Sequence, residues 1–350
     1  MPLQLVVRIS RWALGYKLRR NNNLYDFEPR SKFKRGAVPR SRRSHADLTA
    51  VWSVELSDVI RNGFTTAYNA GKSFRIEYDG PRMLPLQYFP LLGTRIASVT
   101  YDEAVSTILD RVAQGHAYVC AANVHSVSMA RRSAEFRNVL NSSLLTVPDG
   151  KPLIWAHRVL GGRRLTERVY GPTLMLKLCE AAAARGLPIY LYGGKEGVVE
   201  HLATTLTARY PGLRVAGTYS PPFGDRAADD PALLRELDAI NASGCKLVFV
   251  SLGAPKQELF MHRHASRLDA VQIGVGAAFD FHSGRVAQAP EWMQDSGLEW
   301  LFRFCAEPRR LWRRYLFYNP YFIVRVMLQR MGLDGPSREL AKVLATGSQS

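Results

Sequence analysis

The sequence predicts an α/β protein: a mostly parallel sheet with helices on both faces, extended at its C-terminus by a basic, aromatic helical appendage. Three observations carry that expectation. From about residue 91, short apolar runs alternate with segments of helical periodicity, joined by Gly-containing connections. Runs such as Lys246-Leu-Val-Phe-Val250 are apolar almost throughout rather than alternating, as strands covered on both faces are. Residues 303–330 carry 7 Lys/Arg against 1 acidic residue, interleaved with Trp, Tyr and Phe.

In order, Arg95–Val99 reads as a strand and Thr100–Gln114 as a helix, with Thr100 and Glu103 at capping-box spacing. His116–Asn123 is a strand and Ser126–Asn141 a helix; Leu144–Pro148 is a strand and Pro152–Leu160 a helix. Pro172–Arg185 is a helix, Pro188–Tyr192 a strand, Lys195–Tyr210 a helix and Arg214–Tyr219 a strand. Pro231–Ala242 is a helix, Lys246–Leu252 a strand, Gln257–His264 a helix and Val271–Val275 the last strand. The expectation is a Rossmann-like core over residues 91–295, an appendage over 296–332 and a tail over 333–350. Residues 1–90, with 16 Lys/Arg against 7 Asp/Glu, read as a basic, largely disordered extension with a short ordered piece at 50–80.

A parallel sheet binds its ligand at the carboxyl ends of its strands. The residues there are Asn123 and His125, Asp149 and Gly150, Gly193-Gly194-Lys195, Gly253 to Glu258, and Gly276 to Asp280. Asp149 admits two readings: a turn aspartate capping the next helix, or a general base at the rim of the sheet. Gly193-Gly-Lys195 suggests a phosphate turn but lacks P-loop spacing, and no GxGxxG follows the first strand. In Ser251-Leu-Gly-Ala-Pro-Lys-Gln-Glu258, Gly253 and Pro255 shape a strand-to-helix corner that places a lysine, an amide and a carboxylate in succession. Lys256 and Glu258 stand between a site role and helix-end electrostatics.

The net charge of +17 points to phosphates or an anionic membrane surface. Nucleic acid is the rival partner, but no zinc-finger, RNP or helix-turn-helix signature accompanies the charge, so none is expected. Cys120, Cys179, Cys245 and Cys305 are widely spaced, three of them in apolar surroundings; no disulfide framework or zinc site is indicated, and buried thiols fit a reducing cytosol. His125, His262 and His264 form no ligand pattern and there is no DxD triplet, so neither metal nor cofactor is expected. No signal peptide or transmembrane run is expected. From Pro308 onward, arginines at helical spacing beside Leu311, Trp312 and Tyr315 allow a solvated basic face, a pyrophosphate clamp or an interfacial helix.

Together these motifs resemble the WecG/TagA/CpsF glycosyltransferases of bacterial surface-polysaccharide and teichoic acid synthesis. The resemblance runs from about Leu91 to about Met327. It rests on Val147-Pro-Asp-Gly150, Arg168-Val-Tyr-Gly171, Leu191-Tyr-Gly-Gly194, Ser251 to Glu258 and Gly274-Val-Gly-Ala-Ala-Phe-Asp-Phe281. Ala289-Pro-Glu-Trp-Met293, Gly297-Leu-Glu-Trp300 and Glu307-Pro-Arg-Arg-Leu-Trp-Arg-Arg-Tyr315 complete it. The resemblance implies an inverting, metal-independent transfer of a hexose from a UDP-sugar to a polyprenyl-diphosphate-linked sugar at the cytoplasmic face of the plasma membrane. A nucleotide-binding or hydrolase module is the alternative. By the same resemblance Asp149 is the base, Asn123, Arg168, Gly193, Gly194 and Gln257 lie at the donor, and Arg303, Arg310, Arg313 and Arg314 grip the diphosphate. Two positions depart from the family pattern, Ala121 for a frequent Thr and Thr173 for a frequent Asp, which keeps UDP-glucose beside UDP-N-acetylmannosamine and its uronic acid as candidate donors. The peripheral enzyme's oligomeric state is left open, a homo-oligomer included.

Overall fold

A computed structural model describes residues 86–346, except 163, 164, 166, 223, 225 and 228, and excluding the side chains of 310, 338, 341–343, 345 and 346. Of the first 85 residues it describes the backbone of five strands: β1 (Leu5–Trp12), β2 (Gly15–Arg20), β3 (Asn23–Phe27), β4 (Tyr68–Asn69) and β5 (Lys72–Tyr78). They pair in the order β3-β2-β1-β5-β4, with β1 and β5 parallel and the other neighbours antiparallel. This unit, Met1–Pro85, is separate from the unit Leu86–Ser350. The basic runs at 30–35 and 40–43, and most of the expected ordered piece at 50–80, lie outside the described residues.

The second unit is built on a six-stranded sheet, all parallel, with helices on both sides. Its strands are β8 (Ala117–Ala122), β9 (Leu145–Pro148), β10 (Ile189–Gly193), β11 (Val215–Tyr219), β12 (Leu247–Ser251) and β13 (Val271–Gly274). They lie in the order β11-β10-β12-β13-β8-β9. Strand side chains alternate between two apolar clusters. Val119, Leu191 and Phe249 enter one, while Tyr118, Cys120, Tyr192 and Val250 enter the other. Both faces are therefore buried, which is why the strands carry apolar residues in consecutive positions. Three of the four cysteines are buried thiols within this framework, and Cys305 is exposed.

Two sequence expectations change. The strand expected at 95–99 is not in the parallel sheet. As β7 (Thr94–Ala97) it pairs antiparallel with β6 (Tyr88–Leu91) in a separate hairpin. Leu92 and Gly93, with φ of 51° and 83°, give the two left-handed residues that a tight hairpin turn requires. The helix expected over 126–141 is two helices, α2 (Val124–Arg132) and α3 (Ala134–Asn141). Ser133 separates them in an extended conformation, its Oγ accepting from the Phe136 N–H at 3.1 Å to cap the second. The capping box at α1 (Tyr101–Arg111) is present, with Thr100 and Glu103 bonded reciprocally.

A third apolar cluster joins the hairpin to the C-terminus. Leu91, Leu92, Ile96, Val127 and Leu153 pack with Phe322 and Val326 of α13 (Tyr318–Arg330). Gln329 bonds both hairpin strands' connection, accepting from Leu92 N–H at 2.9 Å and donating to Pro90 O at 2.7 Å. Asp334, fully buried, accepts from Arg131 Nε and from Ser337 Oγ, each at 2.6 Å. Ser337 Oγ in turn accepts from Gly93 N–H at 2.9 Å. The end of the expected appendage and part of the expected tail are thus fastened to the core.

Candidate active site

The carboxyl edge of the sheet and the C-terminal helices border a half-open cavity of about 100 Å³. The pairing of β8 with β9 sets Ala122 opposite Pro148, and Asp149 N–H donates to Ala122 O at 2.7 Å. The next residue of each strand, Asn123 and Asp149, therefore stands side by side at the sheet's edge. Both line the cavity, with Arg168 and Tyr170 from the loop that follows α4 (Lys151–Val159). Glu299 and Arg303 of α11 (Glu299–Ala306), Arg314 of α12 (Pro308–Leu316) and Asn319 of α13 line it from the other side.

Asp149 does not cap the helix that follows it. The N-cap there is Gly150, which has no side-chain bond. Asp149 Oδ1 instead accepts from Gly171 N–H at 2.7 Å, the first residue of α5 (Gly171–Arg185). Removal from water pushes the Asp149 carboxyl up to about 6; Glu299 adds to the rise, while the Gly171 N–H, Arg168 and Arg303 oppose it. A carboxyl so placed is ionised at neutral pH yet holds a proton more tightly than an exposed aspartate, as a general base must.

Asn123 is the N-cap of α2, its Oδ1 accepting from His125 and Ser126 N–H at 3.1 and 3.3 Å. That fixes the amide and leaves its NH₂ as the group available to a ligand. His125 lines the same cavity with its ring edge-on to Tyr318, the centroids 4.7 Å apart. Burial, with the Arg314 charge, lowers His125 to about 4, so it is neutral at physiological pH. Its Nδ1 is buried without a partner among the described residues.

Arg168 is held by two residues of the C-terminal segment. Nη1 pairs with Glu299 Oε2 at 2.6 Å, and Nη2 donates to Gln294 Oε1 at 2.7 Å. The guanidinium lies 4.3 Å from the centre of the Tyr170 ring, and Tyr170 donates its own hydroxyl to Glu299 Oε1 at 2.8 Å. Glu299, which bonds both Arg168 and Tyr170, is therefore one of the residues through which this segment is tied to the site, with Gln294. It lies in the motif Gly297-Leu-Glu-Trp300, and sequence reasoning gave it no role.

Of the residues expected from sequence, the structure brings together Asp149, Asn123, Arg168, Arg303 and Arg314. Arg303 also stacks on Phe281, 5.6 Å from the ring centre. Arg313 is exposed, beside Trp312, and does not line the cavity. The side chain of Arg310 lies outside the described residues. Gly193, Gly194 and Gln257 do not line this cavity either. Gly193 has φ of 115° and a Cβ there would run into Ser251 O; Gly194 N–H donates to the same carbonyl at 3.0 Å. Gln257 is buried, its Oε1 accepting from Gly276 N–H at 3.0 Å and its Nε2 donating to Glu258 Oε1 at 3.3 Å. These three residues lock β10, β12 and β13 together at the edge. Among the described residues no group of three or more His, Cys, Asp and Glu side chains could hold a metal ion.

The ordered motifs and this geometry agree with comparison to known proteins. A family model described as "Glycosyl transferase WecG/TagA/CpsF family" matches residues 89–335. An N-acetylglucosaminyldiphosphoundecaprenol N-acetyl-beta-D-mannosaminyltransferase of Bacillus subtilis is 32% identical over 206 residues, 59% of this chain and 77% of the relative. Its counterpart from Bacillus spizizenii is 31% identical over 207 residues, with the same shares of each chain. A match over most of the sheet, the cavity and the C-terminal helices, in order, places the chain in the WecG/TagA/CpsF family of glycosyltransferases.

Proposed function

We propose that the protein is an inverting, metal-independent hexosyltransferase that moves a sugar from a UDP-sugar to a polyprenyl-diphosphate-linked sugar. Asp149 is its general base. The observation that carries this reading is the Asp149 carboxyl itself, at a strand end, held by the Gly171 N–H and ringed by arginines. The relatives' substrate is a diphosphate-linked lipid sugar, and a mannosaminyl group is what they transfer. In the proposed step Asp149 takes the proton of the acceptor hydroxyl as its oxygen attacks the anomeric carbon. The bond from that carbon to the donor's phosphate oxygen breaks, and UDP leaves with the electron pair. Attack opposite the leaving group inverts the centre, so an α-linked donor gives a β-linked product. Arg303 and Arg314 face the same cavity and would balance the charge of the departing diphosphate.

The donor is UDP-glucose, UDP-N-acetylmannosamine or its uronic acid. Ala121 packs beside Gly171, its methyl 3.5 Å from where a Cβ on that glycine would sit, and the Gly171 N–H is the group that holds Asp149. The test is a panel of these UDP-sugars incubated with and without a short-chain lipid-diphosphate N-acetylglucosamine. UDP release that depends on acceptor, with a new glycolipid, supports transfer. Equal release without acceptor would make the protein a hydrolase and sink the reading.

A further inference from the structure

The proposed step leaves one titratable side chain of the cavity unused. His125 is the second residue of α2, its N–H held by the Asn123 cap at 3.1 Å. Its ring stands edge-on to that of Tyr318, the first residue of α13, at an interplanar angle of 88°. The backbone is fixed from one side and the ring from another, so the imidazole has a defined direction. Nδ1 is buried with no partner among the described residues, and His125 lines the cavity. With Nδ1 closed off, Nε2 is the nitrogen through which the ring meets a ligand.

The charged lining of the cavity is four cations, Lys151, Arg168, Arg303 and Arg314, against two carboxylates, Asp149 and Glu299. Both carboxylates already accept hydrogen bonds, one from Gly171 N–H and the other from Arg168 and Tyr170. Such a lining suits an anion rich in acceptor oxygens. An anionic oxygen facing the ring selects the tautomer with its proton on Nε2 and leaves Nδ1 as a bare lone pair. An unpaired lone pair is a cheaper orphan than an unpaired buried N–H. The buried nitrogen and the cationic lining thus point to the same ligand. We propose that His125 is a substrate-binding residue that, with its proton on Nε2, donates a hydrogen bond to a phosphate oxygen of a diphosphate bound in the cavity. The proposal rests on the transferase reading, in which two diphosphates meet at this site, that of the nucleotide-sugar and that of the lipid-linked acceptor. The arginines supply charge; His125 adds a single donor along a fixed line, and such a contact sets where the reacting sugar sits relative to Asp149.

The test compares three variants of the full chain. A glutamine carries its amide nitrogen close to where Nε2 stands, an asparagine close to where Nδ1 stands, and a phenylalanine keeps a ring against Tyr318 with no donor. His125→Phe and His125→Asn should weaken one diphosphate ligand roughly tenfold or more, the worth of a hydrogen bond to a charged group, while His125→Gln keeps most of the affinity. UDP is followed by equilibrium dialysis. A short-chain prenyl-diphosphate N-acetylglucosamine is followed by its KM in the transfer assay, with kcat read beside it. The ligand that weakens is the one whose phosphate the ring meets. Wild-type behaviour of His125→Phe toward both ligands overturns the proposal, and so does loss in His125→Gln and His125→Asn alone, the signature of packing on Tyr318. Should the variants fail to fold, the wild-type chain labelled with ¹⁵N at its eight histidines decides. There the His125 ring is identified by its cross-peaks to Tyr318, and UDP or the prenyl diphosphate should shift Nε2 more than Nδ1. An Nε2 that neither ligand moves overturns the proposal. UDP release that needs no acceptor removes the transferase reading alone, since the UDP measurements still decide whether His125 meets a diphosphate.

Discussion

Asp149 and Glu258 are both carboxyls that burial makes reluctant to ionise, and their surroundings give the two opposite uses. Asp149 opens onto the cavity and is raised to about 6. On the proposal that Asp149 is the base, the rate of transfer should fall about tenfold per pH unit below that value, as its carboxylate becomes protonated. Asp149→Asn should lower turnover by ~10²–10⁴-fold with UDP affinity largely kept, read by steady-state kinetics beside equilibrium dialysis of UDP. Glu258 is buried and does not line the cavity, with Oε2 unpartnered among the described residues, and desolvation raises it to about 7. A carboxyl whose folded value lies above its unfolded value near 4.5 binds more protons in the folded state between those limits, so stability declines as pH rises from about 4.5 to about 7. Glu258→Gln carries no such penalty. Its stability relative to the wild type should grow by ~1–3 kcal/mol between pH 4 and pH 8, measured by urea unfolding; a pH-independent difference would show that Glu258 is ionised at little cost. Asp149 was legible in the sequence because a Pro-Asp-Gly after an apolar run marks a strand end. Glu299 was not, because its partner Arg168 is 131 positions away. Gln257 poses a related question: its amide bonds to Gly276 N–H of the neighbouring loop, and strand-end polarity alone does not tell such a side chain from one facing a ligand.

The elements of the parallel sheet were legible because each is a nearly continuous apolar run bounded by Gly, Pro or Asn, and both faces are covered. The hairpin was missed where Pro90 interrupts the first strand's pattern, and the break in the 124–141 helices where Ser133 looks like an ordinary helical serine until its hydroxyl is seen to cap Phe136. Least legible was the fastening of the C-terminus, which joins Gln329, Asp334 and Ser337 to a hairpin and a helix some 200 residues earlier. Its energetics follow from burial. Asp334 is fully buried and Arg131 largely so, and removing one partner of such a pair leaves the other charge uncompensated, which costs ~3–5 kcal/mol. Asp334→Ala should therefore release the segment around 318–337 before it unfolds the sheet. Hydrogen exchange should show lost protection in α13 while β8 and β12 keep theirs; uniform loss across all three would mean that the fastening is part of one cooperative unit.

At the scale of the whole molecule, charge and apolar surface converge on the C-terminal helices. The chain carries a net charge of +17, and no helix among the described residues is long and apolar enough to cross a membrane. Yet Trp312 and Leu316 on α12, Phe317 at the junction, and Ile323, Val324 and Met327 on α13 are each about half exposed or more, where a monomer in water ordinarily buries such side chains. Exposed arginines, Arg309, Arg313 and Arg330, flank them. That combination suits an interfacial helix pair whose aromatic and aliphatic side chains enter the headgroup region while the guanidinium groups meet lipid phosphate. Such a surface would bring the cavity, also lined by α12 and α13, to the level where a lipid-linked diphosphate is presented. Each basic residue near an anionic surface contributes about 1 kcal/mol, so reversing one to Glu, which removes an attraction and adds a repulsion, should weaken partitioning by roughly 30-fold. Cosedimentation with vesicles of phosphatidylglycerol and phosphatidylcholine should show binding that falls with salt and with Arg313→Glu. Leu316→Ser with Ile323→Ser should weaken binding at every salt concentration, because the apolar contribution is not screened. Equal binding to pure phosphatidylcholine, or no effect of either change, would place the membrane contact elsewhere in the chain.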